Sequence, residues 1–474
     1  MNRSSEPVRF RHHGRLSDLD DAALGALLRR PGADRTARVD GADQADRADV
    51  VASVAEIIAD VRSRGDAALK AMAERFDGVG LIAIEVPRRA WLDALNGLRS
   101  DVRGALERAA ANILRFHRAL VPADVRVEVE PGVIVTRVWT PLARAGVYAP
   151  GGTAAYPSSV LMGVVPARAA GVDEVVVCSP PGPDGRPPPE ILAACAIAGA
   201  DRVFSVGGAG AVAAMAFGTE TVPAVDVVVG PGNRWVTEAK RQIAGAVLID
   251  APAGPSEVLV LADDTADPEV VALEMVAQAE HDLDAVCVLV TTSERVAKGS
   301  ASVMAHLLET APRAAIARGC LERAGAIVTT DSLDEALDFT DRFAPEHLCI
   351  LTRDAPALAR RVRNAGTTFV GPWASVAFGD YMTGANHVLP TAGGARSFSG
   401  LSTHTFLRSF TIQEIDAVGA CTLADDVAAL AEAEGLPAHA VAARARREQS
   451  AREAARRAAH GAADIGVENP GERP

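Results

Sequence analysis

The stretch Glu174-Val175-Val176-Val177-Cys178 is a short β-branched run that belongs to a series of such runs alternating with Ala-rich segments. The series begins after Gly146, and its later members are residues 191–198, 202–206, 209–217, 225–229 and 235–244. Buried parallel strands are continuous apolar runs of this kind, and helices connect them. The alternation therefore predicts βαβ units that form a parallel sheet.

A second alternating block follows Ser256, with elements expected at residues 258–261, 268–279, 285–290, 294–309, 325–328, 333–343 and 347–351. We predict an α/β fold with two incomplete Rossmann-like parallel-sheet domains, one inserted in the other, plus small helical N- and C-terminal segments. The expected boundaries are a helical arm at 1–45, a first α/β domain at 46–143 and 256–400, an inserted second α/β domain at 144–255, a C-terminal segment at 401–445, and a helical to disordered tail at 446–474.

The chain before the inserted domain is expected to be mainly helical, because apolar residues recur at helical spacing over 16–77 and 89–121. We expect one long helix over 89–121 and an exposed connector near 31–48. A strand pair is expected around Pro131-Gly132, at residues 125–130 and 133–139.

Composition limits the classes of function. The 474 residues are 49% hydrophobic and carry a formal net charge of −13, so we expect a globular protein with a small-molecule partner rather than nucleic acid or an anionic membrane. The sequence has no run of about 18 apolar residues, and we expect neither a membrane span nor export by a standard signal. The six cysteines lack CxxC spacing and are expected to be buried, reduced thiols of a cytoplasmic protein: Cys178, Cys195, Cys287, Cys320, Cys349 and Cys421.

Imidazole and carboxylate groups are concentrated in three short stretches that contain glycine or proline or lie near a helix end. These stretches are Gln278-Ala279-Glu280-His281-Asp282, Pro345-Glu346-His347-Leu348 and Gly379-Asp380-Tyr381-Met382-Thr383-Gly384-Ala385-Asn386-His387. A metal site and a proton-transfer pair require such groups. We therefore expect four histidines to matter most: His281, His347, His387 and His439.

The first and third stretches each offer metal ligands. Gln278 and His281 stand three residues apart in a run expected to be helical, so that both would project from one face toward one metal. Alternatively, His281 is a helix-end residue that is hydrogen-bonded to Asp282 or Asp284. Asp380 would supply an oxygen ligand, or else it caps an Asx turn.

Glu346 and His347 follow Pro345 at the entry to an expected strand. Neighbouring residues inside a strand point to opposite faces, but at its entry both side chains can reach one pocket. A carboxylate and an imidazole there would serve two different proton transfers. The alternative is a surface salt bridge.

Two glycine-rich loops suit an anion. Gly230-Pro231-Gly232-Asn233 lies between an expected strand and a helix, where free backbone N–H groups bind phosphates. The stretch VGGAGAVA at 206–213 is similar to a GxGxxA dinucleotide loop, with Asp226 as the acidic residue about 20 positions on. Gly-rich turns of this kind are also common in α/β sheets that bind no nucleotide.

Taken together, these motifs resemble the histidinol dehydrogenase family. The matching stretches run in family order from about residue 10 to 445 and so span nearly the whole chain. They include Gly146-Val147-Tyr148-Ala149-Pro150-Gly151-Gly152, the 230–233 loop with Val236-Thr237-Glu238-Ala239-Lys240, Ala253-Gly254-Pro255-Ser256-Glu257, the three stretches above, Ser399-Gly400-Leu401-Ser402, and Ala433-Glu434-Gly435-Leu436-Pro437-Ala438-His439.

The resemblance implies a zinc-dependent enzyme that oxidises L-histidinol to L-histidine through L-histidinaldehyde in two NAD-dependent steps. It also implies a homodimer with shared active sites, in which residues 401–445 serve dimerisation and residues 144–255 the cofactor. Zinc would be held by Gln278, His281, Asp380 and His439, and in the family the residue matching His439 comes from the partner subunit. The zinc would orient the amine and imidazole of the substrate rather than polarise its alcohol oxygen.

The resemblance also implies roles for other residues. His347 would remove the alcohol proton and later a hydrate proton, while Glu346 would activate water for attack on the aldehyde. The cofactor positions are Tyr148, Gly210 and Asn233. The substrate positions are Ser256, Gln278, His281, His347, Asp380, His387, Glu434 and His439.

The chain departs from the family pattern at three positions. Gly210 stands where a cofactor-contacting Gln is usual, Val376 where an acidic residue is common, and Trp235 where Tyr or Phe is usual. Loss of the Gln would cost about 1 kcal/mol of NAD binding.

Two other functions stay open at this point. One is the same chemistry on another amino or sulfonated alcohol. His387, Glu434 and His439 argue against it, because they favour a substrate with an imidazole ring. The other is a non-catalytic metal- or nucleotide-binding scaffold, which the intact pair of Glu346 and His347 disfavours.

Overall fold

The computed structural model describes residues 7–30, 41–151, 155–251 and 254–463. The expected connector near 31–48 lies outside these ranges up to residue 40, and a helix that begins at Gly41 occupies the rest of it, so the connector was wrong over 41–48. The end of the predicted tail beyond residue 463 also lies outside the described residues. Within the described ranges the strands are β1 (His12–Arg15), β2 (Val125–Glu130), β3 (Val133–Pro141), β4 (Arg144–Tyr148), β5 (Glu174–Ser179), β6 (Arg202–Ser205), β7 (Val227–Val229), β8 (Leu248–Ile249), β9 (Glu257–Ala262), β10 (Val286–Thr291), β11 (Ala326–Thr329), β12 (His347–Leu351), β13 (Thr367–Val370) and β14 (Leu407–Ile415).

The α-helices of the same ranges connect or flank these strands. They are α1 (Asp21–Leu28), α2 (Gly41–Arg64), α3 (Asp66–Met72), α4 (Arg88–Gly97), α5 (Ser100–Ala119), α6 (Pro157–Ala170), α7 (Pro189–Ala198), α8 (Gly208–Phe217), α9 (Arg234–Ile243), α10 (Pro268–Ala279), α11 (Glu294–Thr310), α12 (Ala314–Ala324), α13 (Leu333–Phe343), α14 (Ala355–Ala359), α15 (Val376–Tyr381), α16 (Ala417–Ala433) and α17 (Pro437–Ala463).

A six-stranded parallel sheet has the order β1-β11-β10-β9-β12-β13. Its central strands β9 and β10 are buried along their whole length, which is typical of parallel strands that helices cover on both faces. The chain adds β10 and β11 on one side of β9 and then β12 and β13 on the other. The strand order therefore reverses between β9 and β12.

A five-stranded parallel sheet has the order β6-β5-β4-β7-β8. All its strands lie in sequence between β1 and β9, so that one parallel sheet is inserted in the chain of the other. The predicted fold class is thereby confirmed. The strand order reverses between β4 and β7, and α/β proteins bind ligands beyond the carboxyl ends of strands at such a reversal.

The long helix expected over 89–121 was wrong, because two helices occupy this region. Helix α4 ends at Gly97, and the backbone is extended at Leu98 with φ −70° and ψ 142°. Asn96 and Gly97 are poor helix formers, and Ser100 begins a new helix.

Several elements were not predicted, and β1, α12, β13 and α15 are among them. The arm expected to be helical at 1–45 contributes the strand β1 as well as α1. β1 has only four residues with alternating exposure, and α15 has six, so neither carries a pattern long enough to show periodicity.

The chain forms two compact units. One comprises Met1–Val121 and Pro141–Phe406, and the other Pro122–Thr140 and Leu407–Pro474. These units differ from the domain boundaries predicted from the sequence.

Within the first unit, helices α2 and α3 share an apolar core with the five-stranded sheet. Val54, Ile58 and Leu69 from these helices belong to the same buried cluster as Val176 and Met215. The segment at 46–143, which we expected to join the first α/β domain, thus packs its first helices on the inserted sheet.

The second unit contains the sheet β14-β3-β2 and the paired helices α16 and α17. The predicted hairpin is confirmed: β2 and β3 are antiparallel and join at Pro131-Gly132, where Gly132 has a φ of +79°. A small core of Ala428, Ala431 and Ala440 lies between the two helices.

The six cysteines are all free thiols. Five of them are buried, as expected, but Cys421 is exposed, so the prediction of burial was wrong for this residue. It lies on α16, with its sulfur 3.4 Å from the hydroxyl oxygen of Ser450 in α17.

No helix in the described part of the chain combines the length and apolarity that crossing a membrane requires.

Candidate functional site

Glu346 and His347 lie at the amino end of β12, as predicted. His347 is the first residue of the strand and pairs with Val258 of β9. Both side chains are buried, with 4% of each residue exposed, so the alternative of a surface salt bridge was wrong. Ala344, two residues before Glu346, is the C-cap residue of α13 and has a φ of +52°, a strained conformation for a residue other than glycine.

The backbone of Glu257 contacts both side chains. Its carbonyl oxygen lies 2.9 Å from Nδ1 of His347, which therefore carries the proton and donates it. Its amide N–H donates to Oε2 of Glu346 over 2.7 Å. The same carboxylate oxygen lies 3.4 Å from Nδ1 of His347. This backbone contact of Glu257 was not predicted, although Glu257 ends one of the stretches that match the family.

The second ring nitrogen of His347 faces Asp380. Nε2 lies 3.6 Å from Oδ1 of Asp380 and has no hydrogen-bond partner within the described residues. Since Nδ1 holds the proton, Nε2 carries the lone pair in the neutral ring. In its neutral form His347 is thus oriented with its accepting nitrogen away from Glu257 and toward Asp380.

Burial and charge shift the pKa values of the pair. Burial raises the pKa of Glu346 above its usual value, although His347 and the Glu257 amide act in the opposite direction. Burial alone would lower the pKa of His347, but the carboxylates of Glu346 and Asp380 raise it well above its usual value. The charge of each group therefore influences the pKa of the other.

Helix α15 carries Asp380 to the site. Burial would raise the pKa of its carboxyl, but the nearby imidazole of His347, together with charge from His387 and His281, lowers this pKa. Nδ1 of His387 lies 2.9 Å from the backbone oxygen of Asp380. A cavity of about 300 Å³ is lined by His347, Thr367, Thr368, Phe369, Val370, Ala374, Gly379, Asp380, Thr383, Ala385, Asn386, His387 and Leu389.

Two amide side chains hold the loop that follows α15. Nδ2 of Asn112 donates to the backbone oxygen of Met382 over 2.8 Å. Nδ2 of Asn386 donates to the backbone oxygen of Met162, also over 2.8 Å. The loop between Asp380 and His387 is therefore tied to α5 and α6.

The prediction that Gln278 and His281 share a helix face was wrong, because α10 ends at Ala279. Gln278 lies in the last turn, is 3% exposed, and its amide nitrogen has no hydrogen-bond partner within the described residues. His281 lies in the exposed turn beyond the helix, and its N–H donates to the backbone oxygen of Gln278. The charge of His281 contributes to the lowered pKa of Asp380.

No group of three or more His, Cys, Asp or Glu side chains in the described ranges is arranged to hold a metal ion. A metal site in this unit would therefore require the amide of Gln278 or a ligand from elsewhere.

Tyr148 and the 230–233 loop lie at the reversal between β4 and β7. Tyr148 ends β4, and Gly230 follows β7 with a φ of +118°. A β-carbon on Gly230 would lie 2.1 Å from the backbone oxygen of Tyr148, so only glycine fits this close approach. Burial raises the pKa of Tyr148 to about 12, and its hydroxyl accepts from the N–H of Gly208.

The rest of this loop is held by side chains. Oδ1 of Asn233 caps α9 by accepting from the N–H groups of Trp235 and Val236. Lys240 of α9 donates to the backbone oxygen of Gly230 over 3.0 Å and forms a buried ion pair with Asp250.

Gly210 does not face a cavity. It is buried in α8, and a β-carbon there would lie 2.8 Å from Sδ of Met72 in α3. The packing of α3 therefore explains why this position holds glycine and not a residue with a side chain. Asp226 does not act as the acidic residue of a dinucleotide loop either, because it lies at the amino end of the sheet, where Oδ2 accepts from the N–H of Arg144.

The last three predicted positions are less enclosed. Ser256 precedes β9 and is half-buried, next to Glu257. Glu434 ends α16 and His439 lies in the first turns of α17, both in the second unit and both exposed.

Comparison with known proteins identifies the family. A histidinol dehydrogenase family profile matches residues 41–447. A histidinol dehydrogenase of Methanosarcina mazei is 47% identical over 433 residues, which cover 91% of this chain and 97% of the relative. One of Methanothermobacter thermautotrophicus is 49% identical over 392 residues, which cover 83% and 92%.

A solved structure agrees with these relatives. The crystal structure of histidinol dehydrogenase from Elizabethkingia anophelis matches with a TM-score of 0.87 and 32% identity, covering 94% of this chain and 99% of that one. Family profile, sequence relatives and fold thus all lead to one conclusion, namely that this chain belongs to the histidinol dehydrogenase family.

Proposed function

We propose that this protein oxidises L-histidinol to L-histidine through L-histidinaldehyde, with two NAD per turnover, as a step of histidine biosynthesis. The observation that carries the proposal is the buried pair of Glu346 and His347, with the accepting nitrogen of His347 directed at Asp380 beside a cavity. Burial of a carboxylate beside an imidazole is costly, and such pairs are concentrated at functional sites. The six free cysteines support a cytoplasmic location.

The residues of the first unit fit a zinc ion. The unpartnered, buried amide of Gln278, the carboxylate of Asp380 and the imidazole of His281 offer the nitrogen and oxygen donors that zinc accepts. We propose that His439 supplies the fourth ligand. When bound, the zinc would orient the amine and imidazole of the substrate.

His347 serves as the base in both oxidation steps. Its Nδ1–H is fixed on the carbonyl of Glu257, so Nε2 accepts the proton of the substrate alcohol while the adjacent carbon gives up its hydride. Once this first proton has passed to solvent and the aldehyde has been hydrated, the same nitrogen accepts a hydrate proton as the second hydride leaves to NAD. The buried carboxylate of Asp380 stabilises the imidazolium that forms.

Glu346 serves as the base that activates water. Oε2 is held by the Glu257 amide, and burial raises the pKa of the carboxyl, which makes the carboxylate a stronger base than an exposed glutamate. Proton transfer from water to Glu346 then accompanies attack on the aldehyde carbon. Ser256, His387 and Glu434 are proposed to contact the substrate.

Tyr148 and Asn233 are proposed to contact NAD. Both lie at the carboxyl ends of β4 and β7, where the strand order reverses, and the glycine-rich loop between β7 and α9 allows a close backbone approach. Gly210 is not part of the proposed set, because α3 covers it.

A homodimer is proposed to complete each site, with Glu434 and His439 supplied by the partner subunit. The second unit supports this proposal because it exposes many large apolar side chains: Val125, Val127, Val129, Phe410, Ile412, Ile415, Val418, Val427, Leu430, Leu436 and Val441.

The activity is tested by incubating the purified protein with L-histidinol and NAD, with and without a zinc chelator. Two NADH per histidinol consumed, and loss of turnover with the chelator, are expected. A zinc-bound protein that leaves histidinol unchanged would contradict the proposal and direct the search to other amino or sulfonated alcohols.

The shared site is tested by mixing two inactive variants. His347→Gln and His439→Ala alter different halves of each site, so mixed dimers contain one intact site if His439 acts on the partner. After unfolding and refolding together, roughly a quarter of the wild-type activity is expected. No recovery would assign His439 to the site of its own chain.

A further inference from the structure

One buried carboxylate contacts the three elements that carry Gln278, Asp380 and His347. Glu274 lies in α10, is 8% exposed and precedes Gln278 by four residues, so that the two side chains share one helix face. Its Oε2 accepts from the N–H of Val376 over 3.1 Å. The same oxygen lies 3.9 Å from the sulfur of Cys349 in β12.

The bond to Val376 caps α15 from outside the helix. Val376 is the first residue of α15, and the N-cap residue Ser375 makes no side-chain bond to the first turn. The first N–H groups of a helix need an acceptor, and Glu274 supplies one for Val376. Asp380 stands four residues after Val376, so the Glu274 carboxylate fixes the short helix that carries it.

The bond to Cys349 reaches the strand of the base. Cys349 stands two residues after His347 in β12, and residues two apart on a strand project from the same face. Both donors to Glu274 are uncharged, and burial of a carboxylate with such partners is costly. An apolar side chain would fill the volume without this cost, so the acceptor is the property that distinguishes glutamate here.

We propose that Glu274 is a positioning residue, which holds α10, α15 and β12 in the arrangement that Gln278, Asp380 and His347 need to act together. This inference rests on the proposed function, because the zinc ion is what would join the first two of these side chains. Glu274 acts through the ligands and the base rather than on the substrate.

The test compares two variants that preserve side-chain volume. Glu274→Met removes the acceptor and is expected to weaken zinc binding by the apo protein roughly 10- to 100-fold, measured by competition with a chromophoric chelator. It should also accelerate amide hydrogen exchange in Val376–Tyr381. Glu274→Gln keeps an oxygen acceptor and should retain zinc affinity within about threefold. Glu269→Met, an exposed change on the same helix, should alter neither quantity.

Three results decide the proposal. Wild-type zinc affinity in folded Glu274→Met, even with a lower Tm, would reduce Glu274 to a structural role and overturn the proposal. Equal loss in Glu274→Gln would overturn it too, because the charge and not the hydrogen bond would then matter. If the wild-type protein itself binds no zinc, the zinc ion of the proposed function is refuted. Unchanged amide exchange in Glu274→Met would separately overturn the inference about Glu274.

Discussion

Arg30 and Glu257 form a buried, bidentate ion pair, with Nε–Oε1 and Nη2–Oε2 distances of 2.8 and 3.0 Å. Arg30 also donates to the backbone oxygen of Phe343 over 2.7 Å and lies over the ring of the same residue. Arg30 thereby fixes the position of Glu257, whose backbone is hydrogen-bonded to the side chains of Glu346 and His347.

Removal of Arg30 should destabilise the protein strongly. In Arg30→Met the carboxylate of Glu257 stays buried without its cation, which is expected to lower the free energy of unfolding by roughly 3–5 kcal/mol. Urea denaturation measures this loss. Arg361→Met is the control, because its pair with Asp334 is exposed and should contribute about 1 kcal/mol or less. Equal losses in the two variants would contradict the assigned role of Arg30.

The sequence pattern predicted the two parallel sheets because their central strands are continuous apolar runs, such as β9 and β10. It did not predict β1, because a four-residue edge strand with alternating exposure carries little hydrophobic signal. It also did not indicate that α2 and α3 share a core with the five-stranded sheet, since the partner of an amphipathic helix depends on tertiary packing.

The adjacency of Glu346 and His347 could be read from the chain, and so could their position at a strand entry. The approach of Asp380 to His347 depends on how α15 packs, and no local pattern encodes it. Gly210 illustrates the same limit. Its motif suggested a nucleotide loop, yet Met72 of a distant helix occupies the space beside it.

Replacement of His347 should remove catalysis without removing the metal. In His347→Gln the acceptor for the alcohol proton is lost, so NADH formation should fall by about 10²- to 10⁴-fold. Zinc content, measured by atomic absorption, should match that of the wild type, because Gln278, His281 and Asp380 are unchanged. Loss of zinc in this variant would assign His347 to the metal instead.

Replacement of Glu346 should separate the two oxidations. Glu346→Gln keeps an oxygen for the Glu257 amide but cannot take a proton from water. Oxidation of histidinaldehyde should therefore slow more than oxidation of histidinol, and the aldehyde should accumulate in single-turnover experiments. If both steps slow equally, Glu346 does not activate water.

Lys240 should matter for the cofactor and not for the substrate. Its ammonium group joins Asp250 to the backbone oxygen of Gly230, so Lys240→Met should loosen the loop that precedes Asn233. We expect NAD binding to weaken roughly tenfold, equivalent to about 1.4 kcal/mol, with the histidinol KM unchanged. Arg241→Met serves as control, since Arg241 pairs with Glu238 near the surface of the same helix. Unchanged NAD affinity in Lys240→Met would exclude this role.

His117 should make the stability of the fold depend on pH. Burial lowers the pKa of this imidazole to about 4, and its Nδ1 lies 3.2 Å from the hydroxyl of Thr403. The unfolded chain, with a pKa near 6.5, takes up the proton first as the pH falls. The stabilisation is therefore complete above about pH 6.5 and is lost progressively toward pH 4.

The loss between pH 7 and pH 5 that is due to His117 should be roughly 2 kcal/mol. His117→Gln removes the titrating ring. Between pH 7 and pH 5 its free energy of unfolding, measured in urea, should therefore fall by roughly 2 kcal/mol less than that of the wild type. His306→Gln, a change at an exposed ring on α11, should keep the wild-type slope. An unaltered slope in His117→Gln would mean that the ring is protonated as readily in the folded protein as in the unfolded chain.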